Sequence, residues 1–169
     1  LYGALSEAEL FAIAARTGAD VPFCLAGGAA LCEGIGERIT PLPGMALNLL
    51  LVKGARGVST RALFEGLSLP LPLGDAGGAA AALRVGDVPA LTARAFNALT
   101  APAARLVPEI ARYADRLRAE GALAACMTGS GSAVFGLFES RADAERAKGA
   151  FPDAAFTHVC RTLPFSHKT

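Results

Sequence analysis

The chain has 169 residues, 53% of them hydrophobic and 18% charged, with a net charge of +1. That apolar fraction, with a mean hydropathy of +0.42, is ample for a buried core and argues against extensive disorder. Lys and Arg form no cluster, which argues against nucleic acid as the main partner, because affinity for a phosphate backbone comes from concentrated cations.

In chain order, Ser6-Glu7-Ala8-Glu9 is a capping box and predicts a helix over 7–17. Leu5 and Leu10 hold the hydrophobic-staple positions; Leu10, Phe11 and Ala14 share a face, and Gly18 sits where a left-handed residue ends a helix. A loop through Ala19-Asp20-Val21-Pro22 should follow, with Val21 extended by the proline after it. Strands are expected over 28–32, 37–42 and 47–53, separated by Gly34, Gly36 and Pro43-Gly44. The third is almost wholly apolar, as in a strand covered on both faces.

Ser59 or Thr60 can cap a short helix through Gly66, and 67–74 is a proline-rich loop. Asp75 and Asp87 can cap helices to about Val85 and Leu99. Ile110, Ala114 and Leu117 line a further helix that Pro108 kinks or restarts and Gly121 stops. Strands over 123–127 and 133–138, a helix over 141–149 and a strand over 155–161 complete the pattern. Strand, helices, two strands, helix and strand in that order suit an α+β sandwich with an antiparallel sheet.

Cys24, Cys32, Cys126 and Cys160 form no C-x-x-C pair and read as reduced, buried thiols of a cytosolic protein rather than a zinc site or disulfide framework. His158 and His167 have no nucleophile in a recognisable motif, so a hydrolase triad has little support. Residues 121–138 are uncharged, but Thr128-Gly129-Ser130-Gly131-Ser132 at their centre reads as a turn between strands, not a membrane span. Leu1-Tyr2-Gly3 lacks the features of a secretory signal, and a non-methionine start so close to a helix signal suggests a cut through a longer chain.

Three segments hold candidate chemistry. Asp20, just past a helix end on a stiff Val-Pro connection, is either a loop cap or a functional carboxylate. Gly27 to Glu37 is glycine-dense but matches neither G-x-G-x-x-G nor a P-loop, so hairpin glycines are the default. Met127 to Ala133 places two glycines and three hydroxyls in one turn, where backbone N–H groups can approach a phosphate; an ordinary strand connection looks the same.

Taken in order, Gly18–Cys24, Gly27–Glu37, Gly57-Val58-Ser59-Thr60 and Met127–Phe138 closely resemble, at similar spacing, the 4-diphosphocytidyl-2-C-methyl-D-erythritol kinases of the GHMP superfamily. The resemblance covers nearly the whole chain. Gly18-Ala19-Asp20-Val21-Pro22-Phe23 discriminates this family, whereas Met127-Thr128-Gly129-Ser130-Gly131 is shared across the superfamily. The resemblance implies an α+β, GHMP-kinase-like fold: residues 1–45 as the end of an N-terminal catalytic and ATP domain, and 46–169 as a C-terminal substrate domain. The latter would be an α/β sandwich with a mostly antiparallel sheet and helices on one face. It also implies ATP, Mg²⁺, a cytoplasmic location and a small-molecule substrate bearing a cytidine diphosphate group. That substrate would be phosphorylated at its 2-hydroxyl on the non-mevalonate route to isoprenoid precursors.

By position, Asp20 matches the family's catalytic Asp, which takes the proton from the attacking hydroxyl. Gly129, Ser130, Gly131 and Ser132 match its third motif, beside the phosphate loop. Phe64 matches an aromatic that stacks on cytosine, and Thr60 lies close to that site. Phe64 also reads as the apolar anchor of a short helix with Leu63 and Leu67. The family's N-terminal lysine, second cytosine aromatic and long glycine-serine loop are not in this sequence, so the isolated chain is expected to be inactive and the native one to have an N-terminal half. Two further readings stay open: a GHMP kinase for another alcohol, such as homoserine or a mevalonate derivative, and a non-catalytic α+β binding module.

Overall fold

The computed structural model describes residues 5–163; Leu1, Tyr2, Gly3 and His167 lie outside them. Helix α1 (Glu7–Thr17) starts as its capping box requires: the Ser6 hydroxyl accepts from the Glu9 N–H at 3.3 Å, and the Glu9 carboxylate accepts from the Ser6 N–H at 2.8 Å. Gly18 ends α1 in extended backbone (φ 174°) rather than left-handed, its N–H still reaching the Ala14 carbonyl at 3.2 Å. The expected loop at 19–22 gives way to helix α2 (Val21–Ala26). Pro22 explains this: in the first turn its missing N–H is not needed and its fixed φ suits a helix start. Strands β1 (Ala29–Glu33) and β2 (Arg38–Leu42) form a separate antiparallel hairpin, with Ala29 opposite Leu42 and Glu33 opposite Arg38.

The chain then runs through β3 (Asn48–Lys53), α3 (Thr60–Glu65), α4 (Ala76–Val85), α5 (Val88–Thr92), α6 (Thr100–Leu106), α7 (Glu109–Ala119), β4 (Ala124–Met127), β5 (Val134–Phe138), α8 (Arg141–Lys148) and β6 (Phe156–Arg161). Asp75 and Asp87 cap α4 and α5 with their carboxylates, at 2.8 Å and 2.9 Å. Helix α5 stops at Thr92, short of the expected Leu99, and Arg94 reaches back to the Asp75 carboxylate at 2.8 Å. Pro108 separates α6 from α7, restarting the helix rather than kinking it.

The four later strands make one antiparallel sheet in the order β4-β5-β3-β6, with Leu50 opposite both Gly136 and Val159. Helices α7 and α8 pack on one face. Ile110, Tyr113 and Leu117 of α7 meet Leu50, Val52, Met127, Val134 and Phe138 from the strands in one fully buried cluster. Burying each such side chain stabilises the fold by about 1.5–3 kcal/mol. On the opposite face Leu49 and Leu51 are only half-buried, against the expectation for β3. With Phe135 and Leu137 they floor a cavity of about 480 Å³ that Leu91 and Phe96 cover in part. The early end of α5 leaves that face without a full helical layer.

All four cysteines are free; Cys126 is buried and Cys160 half-buried, but Cys24 on α2 and Cys32 on the hairpin are exposed, against the expectation of buried thiols. Among the described residues no helix is long and apolar enough to cross a membrane.

Candidate functional site

The turn between β4 and β5 is tight. The Thr128 N–H donates to the Ala133 carbonyl at 2.9 Å, and the Gly131 N–H to the Thr128 carbonyl at 3.1 Å. Gly131 has φ +96°, and a Cβ there would come within 2.8 Å of the Met127 sulfur and 3.2 Å of the Val58 side chain. Only glycine fits that backbone and that space. Ser132 is 3% exposed and its hydroxyl donates to the Arg56 carbonyl at 2.7 Å, so it anchors the turn. Among the described residues, the backbone N–H groups of Gly129 and Ser130 donate to no carbonyl. Two successive free N–H groups beside a hydroxyl make a donor set suited to a phosphate oxygen.

The Ser130 hydroxyl lies 3.0 Å from the Thr60 hydroxyl, which joins this turn to the start of α3 across 70 positions of sequence. Ser59, rather than Thr60, caps α3, its hydroxyl accepting from the Ala62 N–H at 3.3 Å. Leu63 is buried and anchors the helix to the core, while Phe64 is 55% exposed. The anchor reading of Phe64 is therefore corrected: Leu63 takes that place. Thr60 and Phe64, four residues apart, share a helix face, so the exposed ring sits one turn from the Thr60–Ser130 contact. The preceding loop is pinned to α7 by a bidentate pair in which the Arg56 Nε donates to Glu109 at 2.9 Å and a second guanidinium N–H donates to the other carboxylate oxygen. This guanidinium holds the Glu109 carboxyl at about 2.

Asp20 is exposed at the N-cap of α2, and its side chain makes no capping bond. The β1–β2 turn packs against the residue before it: a Cβ at Gly36 would lie 3.0 Å from the Ala19 carbonyl oxygen. Among the described residues no hydrogen bond or ion pair joins Asp20 to the 128–132 turn or to α3. Of the site residues foreseen from sequence, Thr60 and the Gly129–Ser132 turn are joined by a direct contact, with Phe64 on the Thr60 helix face, and Asp20 is not bonded to them. Sequence reasoning missed Asn97, whose amide donates to the carbonyls of Met127 at 2.9 Å and Gly129 at 2.8 Å. The available signal was an asparagine inside a predicted helix, a residue whose side chain favours turns over helix interiors.

Residues 79–157 match the family described as GHMP kinases C terminal. The chain is 38% identical over 173 residues to the 4-diphosphocytidyl-2-C-methyl-D-erythritol kinase of Caldicellulosiruptor saccharolyticus, covering 97% of this chain and 59% of the relative. It is 41% identical over 169 residues to the same-named protein of Moorella thermoacetica, covering 94% and 58%. A crystal structure of 4-(cytidine 5'-diphospho)-2C-methyl-D-erythritol kinase superposes with a TM-score of 0.75 at 34% identity, over 92% of this chain and 57% of that one. Homoserine kinase from Cytophaga hutchinsonii superposes at 0.71 with 21% identity, over 85% and 50%, a likeness of fold alone. The chain therefore spans a little under three-fifths of the length of the curated relatives it matches.

Proposed function

We propose, from its likeness to the GHMP kinases, that the chain is the C-terminal portion of an ATP-dependent kinase of that family. Its substrate is 4-diphosphocytidyl-2-C-methyl-D-erythritol, phosphorylated at the 2-hydroxyl for isoprenoid precursors. The observation that carries this reading is the Thr60–Ser130 contact, which sets exposed Phe64 beside the free N–H groups of the β4–β5 turn. An aromatic face for a base next to donors for phosphate suits a substrate that presents a cytidine diphosphate to a phosphoryl donor. Residues 1–45 end an N-terminal catalytic domain in this reading, and 46–169 form the substrate domain. In support, the main core cluster draws only on residues from Leu50 onward.

In the reaction the substrate hydroxyl oxygen bonds to the γ-phosphorus of ATP and the bond to the β–γ bridging oxygen breaks, its electron pair leaving on ADP. The hydroxyl proton passes to the Asp20 carboxylate as general base. Phe64 stacks on cytosine with Thr60 beside it, while Gly129 and Ser130 offer N–H groups to ATP phosphate oxygens and Gly131 and Ser132 hold the turn that presents them. Among the described residues no three metal-ligating side chains cluster. Mg²⁺ would accompany the triphosphate and supply charge neutralisation there. The reaction is placed in the cytoplasm, where the four free thiols remain reduced.

Positioning and charge neutralisation dominate phosphoryl transfer, and the relatives are longer than this chain. Residues 1–169 alone should show no detectable turnover of ATP with the cytidyl substrate, whereas a chain extended to the relatives' length should show it. Robust turnover by 1–169, or an extended chain that phosphorylates only another alcohol, would refute this reading.

A further inference from the structure

We infer that Asn97 is a positioning residue for the nucleotide-facing turn; this rests on the reading above that residues 128–132 meet ATP phosphates. Asn97 is half-buried between α5 and α6, and every polar atom of its side chain is engaged. Its two amide N–H donors go to the Met127 and Gly129 carbonyls, and its oxygen accepts from the Leu99 N–H at 2.9 Å. Carbonyls only accept and an N–H only donates, so the orientation of the amide has one solution.

Met127 ends β4, an edge strand whose outer side has no neighbouring strand among the described residues. The Asn97 amide occupies that vacant side, as the Arg118 guanidinium does two residues earlier, donating to the Ala125 carbonyl at 2.9 Å. The two edge donors differ in what they reach. Arg118 bonds the strand and Asp115 of its own helix but nothing in the turn, whereas Asn97 bonds both the last strand residue and Gly129, which has φ +57°. It thereby fixes the 127–128 and 129–130 peptide planes, the second of which carries the Ser130 N–H, while the Thr128 carbonyl, accepting from the Gly131 N–H, holds the plane that carries the Gly129 N–H. Ser132, bonded to the Arg56 carbonyl, holds the other end of the same turn. A displacement of about 1 Å at such a site can cost roughly 10²-fold in rate without any contact to the reacting atoms.

The test uses the kinase at full length. Asn97→Asp keeps the size of the side chain and the acceptor for Leu99, but sets a carboxylate oxygen against two carbonyl oxygens. Turnover should fall by about 10²-fold, and the KM for ATP should rise about tenfold while the KM for the cytidyl substrate stays within about twofold. Affinity for a non-hydrolysable ATP analogue with Mg²⁺, measured by calorimetry, should fall in parallel. Rates are referred to the folded fraction from circular dichroism. Should this variant fail to fold, Asn97→Gln carries the same measurements, with a rise of roughly threefold in the KM for ATP from weakened hydrogen bonds. Unchanged constants, or a loss that tracks the folded fraction with both KM values unmoved, overturns the inference. A parent enzyme that binds the ATP analogue but phosphorylates a different alcohol refutes the proposed substrate while leaving the Asn97 effect on ATP to be read; a parent that binds no ATP overturns both.

Discussion

From α1 to β2 only Ala14, Pro22 and Leu42 are buried, whereas from β3 onward the chain buries a continuous cluster running from Leu50 to Val159. The local signals are equally good in both regions. Helix α1 has a complete capping box, yet Leu10 and Ile13 remain 42% and 43% exposed, and both staple residues are half-exposed. Helix α7 has no side-chain cap, yet Ile110, Tyr113, Ala114 and Leu117 are all buried. Capping and periodicity thus specify that a helix forms, and the surface it meets decides how much that helix stabilises. The contrast also divides the proposed chemistry: Asp20 stands on the thinly packed region, while Phe64, Thr60 and the β4–β5 turn stand on the region with a core.

The largest expected effect tests whether that division is one of function. In the full-length kinase Asp20→Asn removes charge and keeps shape, and kcat should fall by at least about 10²-fold with substrate affinity within several-fold. Steady-state kinetics that show kcat barely moved would leave Asp20 as a surface residue of α2. Core substitutions then probe the packing side of the contrast. Leu117→Ala should destabilise by about 2–5 kcal/mol, lowering Tm by roughly 2–4 °C per kcal/mol. Ile13→Ala, on a half-exposed face of α1, should stay within about 0.5 kcal/mol in the 169-residue chain. Equal losses in thermal denaturation would erase the contrast.

A smaller effect is expected at Phe64. Stacking a ring on a base is worth about 1–3 kcal/mol, so Phe64→Leu should raise the KM for the cytidyl substrate roughly 5- to 150-fold and leave that for ATP nearly unchanged. Because Leu63 already anchors α3, Tm should hardly move; a large fall in Tm with an unmoved KM would return Phe64 to a packing role. The smallest effect is electrostatic. Arg56 lowers the Glu109 carboxyl from 4.5 to about 2, so its contribution to stability is complete above the unfolded value and is lost as pH falls from about 4.5 toward 2. The pair is solvent-exposed in part, which keeps that contribution small. Glu109→Gln should flatten the acid limb of the stability profile in that window; an identical limb in both proteins would show that the pair does not tie the 54–58 loop to α7.

Much of the fold was legible in local sequence because its causes are local. Ser6 with Glu9, Ser59, Asp75 and Asp87 cap helices within three residues of themselves, and Gly34, Gly36 and Gly121 turn the chain where their backbone freedom is needed. The 3.6-residue spacing in α7 identified its core-facing side chains, whereas the unbroken apolar run of β3 did not show that Leu50 and Val52 face the core and Leu49 and Leu51 do not. Sequence alone also marked Asp20, Phe64 and the Met127–Ala133 turn, through residue types whose resemblance to a family could be recognised in order.

Only the tertiary structure decided which of these residues meet. The Thr60–Ser130 contact spans 70 positions and the Asn97 amide reaches 30 and 32 positions ahead; no local pattern encodes pairings across such distances. The early end of α5 has the same origin, since Asn97 exchanges a place in a helix for bonds to a turn it reaches only when the chain is folded. Burial follows the same rule: α1 and α7 both carry an amphipathic pattern, but the free energy of burying it depends on the surface opposite, which belongs to other parts of the chain.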